Sequence, residues 1–320
     1  MRVKNISILF IIAFSCFVAD ASAQKTKTIY FLSGPKDHVG PAGTGRHETG
    51  RDLLVLKNCI DSVANIKGVK IVTKYLDERS AVNIEDLKGA DAIIVECSSV
   101  TSTQKRTHPL LPPLPPGARN YGKDTAAYLN QIDSLQAAGM GIMVIHWGIA
   151  TDGNQPASEH YIRWFGQTAM SNYTQNPLGF WKITPIKGAK HPILNGVKPW
   201  TYKDEIFSRL VVNPGDPYRT DLLMGESPET NQSEYGSPRG VISPRCVASV
   251  YEKNKQRGVL WGGMDYHSAL QNENYLRFVL NEIVWTAGID VPKEGVKTNA
   301  KQLQLSAPRS DNFDRYKKPE

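Results

Sequence analysis

Cysteine is scarce in this 320-residue chain: there are four, and Cys16 lies inside an N-terminal apolar segment. Cys59, Cys97 and Cys246 are too far apart to read as a disulfide framework, which excludes the small stapled secreted folds. Neither C-x-x-C nor H-x-x-x-H occurs, so the compact zinc signatures are missing too. No apolar run reaches the roughly 20 residues a membrane-spanning helix needs. The formal charge is +7, but the positive residues are scattered and form no basic stripe interleaved with aromatics. Nucleic acid is therefore not an expected partner. No internal repeat is visible, which excludes solenoids.

What is present begins with an address. Arg2 and Lys4 precede an apolar stretch from Ile6 to Val18, and Ala21-Ser22-Ala23 forms an A-x-A site. Residues 1–23 read as a cleaved signal peptide and the product as periplasmic or secreted, not membrane-spanning. Losing Arg2, Lys4 and Asp20 lowers the charge from +7 to +6.

The stretch 28–96 alternates strand and helix. Thr28 to Ser33 is β-rich, His47 to Ile60 is helically periodic, and Val69 to Tyr75 is a second strand. Ile84 to Leu87 is a helical turn and Asp91 to Glu96 a buried strand. This βαβαβ rhythm predicts a doubly wound parallel sheet. Residues 107–117, with five prolines, can only be extended loop, expected to pack near the ligand edge of the sheet. A helix over 124–138, closed by Gly139, leads into the apolar run ending at His146-Trp147. Short, apolar on both faces and flanked by glycine, that run reads as the central parallel strand, with His146 just past its carboxyl end, where open α/β sheets bind ligands.

After residue 150 the pattern loosens into a β-rich insertion reaching about 250. Trp181 to Ile186 and 222–224 are short strands, and 219–245 is otherwise a polar connection. Val247 to Tyr251 and Gly258 to Trp261 form a hairpin, Asn274 to Ala287 an amphipathic helix, and 291–320 a disordered tail. The domain proper is thus 28–290.

Four of the seven histidines fall at predicted strand ends: His38 and His47 after the first strand, His146 after the central one, and His267 after the hairpin. Imidazoles together with carboxylates suit a divalent metal, zinc first, and His38, His47 and His146 are the expected ligands. His146, Glu48, Glu205 and His267 are the candidates for proton transfer. Trp147 and Trp181 offer flat faces for a sugar, and Cys97 and Asp204 are further candidate substrate contacts. Each has a plainer reading: a core histidine, a core tryptophan, a buried thiol, a turn-capping aspartate.

Several of these residues stand in motifs that resemble one family. The spacing His38…His47-Glu48-x-Gly50, the strand ending IVEC at Cys97, GMGIMVIHWG (139–148), KHPILNGVKPW (190–200), DEIF (204–207) and GVLWGGMDYH (258–267), then FVLNEIVWTAGIDVP (278–292), are similar to the ThuA-like, trehalose-utilisation family. The resemblance runs from about Ile29 to Pro292. It implies a flavodoxin-like fold related to class I glutamine amidotransferases. It also implies a role in carbohydrate catabolism on disaccharides or 3-keto-glycosides, paired with a sugar oxidoreductase, and no nucleotide cofactor. The amidotransferases carry a nucleophilic Cys after the central strand. Here His146 stands at that place, so glutaminase chemistry is disfavoured. Met264 occupies a position where relatives often carry His, which weakens the case for His267. The alternative function is a non-catalytic carbohydrate-binding protein using the same pocket.

Overall fold

The computed structural model describes residues 24–34, 36, 43, 45–76, 82–97, 108–111, 122–151, 155–170, 173–228, 230–231 and 242–297. The expected signal peptide, His38, most of the proline stretch and residues 298–320 lie outside them.

In chain order the elements are β1 (Lys25–Ser33), α1 (Thr49–Asp61), β2 (Val69–Leu76), α2 (Ile84–Leu87), β3 (Ala92–Glu96), α3 (Lys123–Ala138) and β4 (Gly141–Ile145). A short 3-10 turn (His146–Ile149) follows, then α4 (Gln155–Phe165), β5 (Gln167–Thr168), β6 (Leu178–Pro185), β7 (Trp200–Glu205), β8 (Val211–Val212), β9 (Arg219–Ser227), β10 (Thr230–Asn231), β11 (Ile242–Lys253), β12 (Gln256–Trp261) and α5 (Glu273–Thr286). The strands β2-β1-β3-β4-β12 run parallel in that order, the flavodoxin-like arrangement. The insertion does not build a separate unit. It continues the same sheet antiparallel, through β11, β9 and β6, with β7 and β10 both on β6.

The period-two alternation of the parallel strands divides the core. Ile29, Phe31, Ile94, Met143, Ile145 and Trp261 face α1 and α5. Tyr30, Leu32, Ile93, Val95, Ile142 and Val144 face α2, α3 and α4. The buried runs AIIVE and GIMVI are what strands covered on both faces require. Gly139 closes α3 with a left-handed φ of 117°, and Met140 N–H reaches Leu135 O at 3.0 Å. The Asn272 side chain caps α5 by accepting from the N–H groups of Asn274 and Tyr275.

Three boundaries differ from the sequence expectation. Helix α1 starts at Thr49, because His47 takes a left-handed φ of 49° and cannot enter the helix. Polar 219–227 is a full strand, since pairing with β11 and β6 outweighs its composition. The packed chain also continues to about 297: Val291 and Val296 are buried, and Val296 N–H donates to Asn281. Cys59, Cys97 and Cys246 are all free thiols. Among the described residues no helix is long and apolar enough to cross a membrane.

Candidate metal centre

The loops leaving the carboxyl ends of β1, β4 and β12 converge. The segment before α1 is zipped by backbone to the segment after β12: His47 N–H donates to Asp265 O and His267 N–H to Gly45 O, each at 2.9 Å. Between them Arg46 pairs with Tyr266. β4 points His146 into the same place. The result is a buried trio, His47, His146 and Asp265, whose ligand atoms all lie within 4.8 Å of one another. His47 Nε2 is 3.4 Å from His146 Nε2 and 3.0 Å from Asp265 Oδ1. His146 Nε2 is 3.9 Å from that oxygen.

This convergence is held under strain. Three of the five non-glycine residues with positive φ among the described residues are His47, His146 (50°) and Met264 (87°). Each such conformation costs on the order of 1–3 kcal/mol, and such residues cluster at functional sites. Asp204 fixes the turn that carries Asp265: fully buried, it accepts from Met264 N–H at 2.9 Å, Asp265 N–H at 3.1 Å and Glu205 N–H at 2.9 Å. Gly263 is needed for that approach, because a Cβ there would lie 2.7 Å from Asp204 Oδ2.

The electrostatics suit ligation. Burial and the neighbouring His47 push the His146 imidazole down to about 3, so it is neutral near pH 7. Its Nδ1 lies 3.2 Å from Gly262 O, and the carbonyl can only accept. The proton therefore sits on Nδ1, and the Nε2 lone pair faces the trio. Burial would raise Asp265, but the Arg46 guanidinium and the two imidazoles outweigh it and hold this carboxyl well below the usual range. Arg46 Nε donates to Asp265 Oδ2 at 2.7 Å, while the buried Oδ1 faces His47 Nε2 at 3.0 Å. A buried carboxylate oxygen beside an imidazole lone pair is a donor pair that a divalent cation fits. An ion held by two histidines and one carboxylate would keep further coordination positions for substrate, as catalytic rather than structural metal sites do.

Of the expected residues, His47, His146 and Trp147 meet here. The Trp147 ring stands edge-on to His47, with centroids 5.4 Å apart. Glu205 lies one residue further out, contacted by Arg46 Nη2 at 3.3 Å and by Asn176 Nδ2 at 2.6 Å. The remaining residues sit elsewhere. Glu48 does not reach the trio. Its carboxylate accepts from Gly43 and Gly45 N–H at 2.9 Å and folds the loop. Burial pushes Glu48 up, but those N–H groups, with Lys36 and Arg51, bring it below its usual value. His267 is buried with Nδ1 on Asp52. Asp52 in turn adjoins Glu96, and burial raises both carboxyls. Trp181, expected as a sugar platform, is fully enclosed in the core with Nε1–H on Pro177 O. Its ring faces no ligand, because β6 lies inside the extended sheet. Asp204 is a backbone clamp with no exposure to a substrate. Cys97 is buried against Gly148.

Two members escaped the sequence reading. Asp265 stands in GGMDYH two places before His267. The parity of an extended segment gives no means of choosing between them. Arg46 precedes His47 and carries no motif of its own. Its role appears only when the segment after β12 is brought beside it.

The sequence matches no family model and no curated protein. Solved structures with a similar arrangement include a protein described as ThuA-like from Bacteroides uniformis ATCC 8492. It has a TM-score of 0.47 at 11% identity, over 85% of this chain and 94% of that one. A cytoplasmic protein of Salmonella typhimurium LT2 aligns with a TM-score of 0.47 at 14% identity, over 82% of this chain and 99% of the other. A beta-galactosidase from Bacillus circulans sp. alkalophilus aligns at 0.41 and 8% identity, over 82% of this chain but 31% of that enzyme. At this level of likeness the fold assignment rests on the strand order itself.

Proposed function

We propose that the protein is an exported enzyme of carbohydrate catabolism. It acts on a disaccharide or 3-keto-glycoside by proton transfer next to a carbonyl, with a divalent cation, zinc first, held by His47, His146 and Asp265. The observation that carries this reading is the meeting of those three ligand atoms within 4.8 Å at the carboxyl edge of the parallel sheet. The sugar class rests on the resemblance of the chain's motifs to the ThuA-like family, and so does the expected pairing with a sugar oxidoreductase that would supply the keto-sugar.

When bound, such an ion would act as a Lewis acid on a substrate oxygen. The chain does the rest. Gly262 O fixes the His146 tautomer, and Arg46 anchors the far oxygen of Asp265. Trp147 covers one side of His47. Glu205, partly exposed beside Arg46, is the group placed to move protons. His146 follows β4 at a left-handed turn, where an amidotransferase would carry its thiol, and an imidazole there supports ligation rather than acyl transfer.

The test is turnover of a 3-keto-glycoside together with metal content, in the wild type and in His146→Ala. Joint loss of metal and turnover supports the enzyme. Tight sugar binding with no turnover on any keto-sugar makes the protein a carbohydrate binder instead.

A further inference from the structure

A second feature lies on the other side of Phe207, whose ring packs edge-on against His146 with centroids 5.4 Å apart. Phe207 also lines a cavity of about 190 Å³ between the β8 edge and the face of β9 and β11. The cavity is bordered by Arg209, Arg245, Arg219, Gln167 and Ser249. Arg219 is neutralised by Asp221 and also donates to Ser249 Oγ at 3.3 Å. Among the described residues neither Arg209 nor Arg245 has a carboxylate within ion-pair distance. Arg245 donates one N–H to Gln175 Oε1 at 2.7 Å, and Arg209 lies 5.0 Å above the Tyr173 ring. Both contacts leave most of the guanidinium donors unused.

Two like charges facing one half-buried space repel each other, and burial together with Arg209 lowers the pKa of Arg245. An anion between them would relieve that cost. Guanidinium forks match the geometry of carboxylate and phosphate oxygens, and neutral polar ligands gain much less from them. The volume is below the roughly 300 Å³ at which pockets begin to hold drug-sized ligands, so it suits one small charged group rather than a whole disaccharide.

We propose that the Arg209–Arg245 cavity is an oxyanion pocket, taking the carboxylate or phosphate group of a small ligand one aromatic ring away from the metal trio. The proposal needs neither a metal nor turnover, so it stands or falls separately from the enzyme reading.

The test is calorimetric titration of the purified full chain with inorganic phosphate and, separately, with D-glucuronate. Chloride at matched ionic strength and neutral D-glucose serve as controls. Saturable binding of one or both anions, weakened at least tenfold in both Arg245→Gln and Arg209→Gln, is the expected result. Binding of phosphate alone assigns the pocket to phosphate groups, and binding of glucuronate alone assigns it to sugar acids. Both variants alter partly exposed side chains, and their thermal unfolding is recorded alongside to confirm that they fold. Absence of saturable binding beyond chloride for both anions overturns the proposal. So does an affinity unchanged in the two folded variants.

Discussion

Asp204→Asn is the most informative single change outside the trio. It keeps the volume of the side chain and replaces one acceptor oxygen by an NH2 donor. In the native turn, Oδ2 accepts from Met264 N–H, and Oδ1 accepts from both Asp265 and Glu205 N–H. An amide can satisfy at most one of these two sides. With the amide nitrogen toward Met264, one buried N–H loses its partner. With the amide flipped, two do. Leaving one buried donor unsatisfied costs about 1–3 kcal/mol. Taking about 2 kcal/mol, and about 2–4 °C per kcal/mol for a chain of this size, the melting temperature should fall by about 4–8 °C. The loss is not confined to stability. Those N–H groups hold the backbone that presents Asp265, so divalent-ion affinity measured by competition with a chromophoric chelator should fall as well. Thermal unfolding of Asp204→Asn within about 1 °C of the wild type, with unchanged ion affinity, would refute the view that this carboxylate builds the turn.

Further outcomes follow from other groups. Glu282 is fully buried on α5 with neither carboxyl oxygen hydrogen-bonded among the described residues, and burial raises its pKa well above 4.5. Its native state is therefore penalised as pH rises above 4.5, so Glu282→Met should gain roughly 1–3 kcal/mol at pH 7 in urea unfolding, with the gain shrinking below about pH 4.5. A Met variant less stable than wild type at pH 7 would show a partner that the structure does not. His108 accepts from Leu110 and Leu111 N–H at Nδ1, and burial pushes its pKa from 6.5 down to about 3. Protonation is thus resisted by the fold, so stability is full above 6.5 and is lost as pH falls from 6.5 toward 3. His108→Asn should flatten that slope in pH-dependent unfolding, and an identical slope in the variant argues against it. The two tryptophans should separate cleanly. Trp181→Ala should cost about 3–5 kcal/mol of stability as a core truncation. Trp147→Ala should cost less stability and disturb ligand binding at the trio more.

The parts of the fold set by alternation and caps were readable before any coordinates. The runs AIIVE and GIMVI announce strands buried on both faces, and Gly139 and Gly288 mark where helices stop. The convergence of His47 and His146 could be inferred from strand ends because a parallel sheet brings its carboxyl edges together. What escaped depends on tertiary context. The 219–227 strand is polar in composition and exists through its neighbours. Trp181 is enclosed because β6 joins the main sheet rather than a separate surface unit, and sequence pattern carries no information on that choice. Asp265 and His267 share one parity on an extended segment. Which of them faces the other ligands is decided by the pairing of Arg46 with Tyr266, which brings Asp265 rather than His267 against His47.

His47, His146 and Asp265 are proposed to hold one divalent ion together. The direct test is anomalous diffraction at the zinc absorption edge, from crystals of the protein equilibrated with zinc and from crystals of Asp265→Ala treated identically. The expected result is a single strong peak among the three side chains that is gone in the variant. A peak elsewhere with none at the trio, or an undiminished peak in Asp265→Ala, would contradict it.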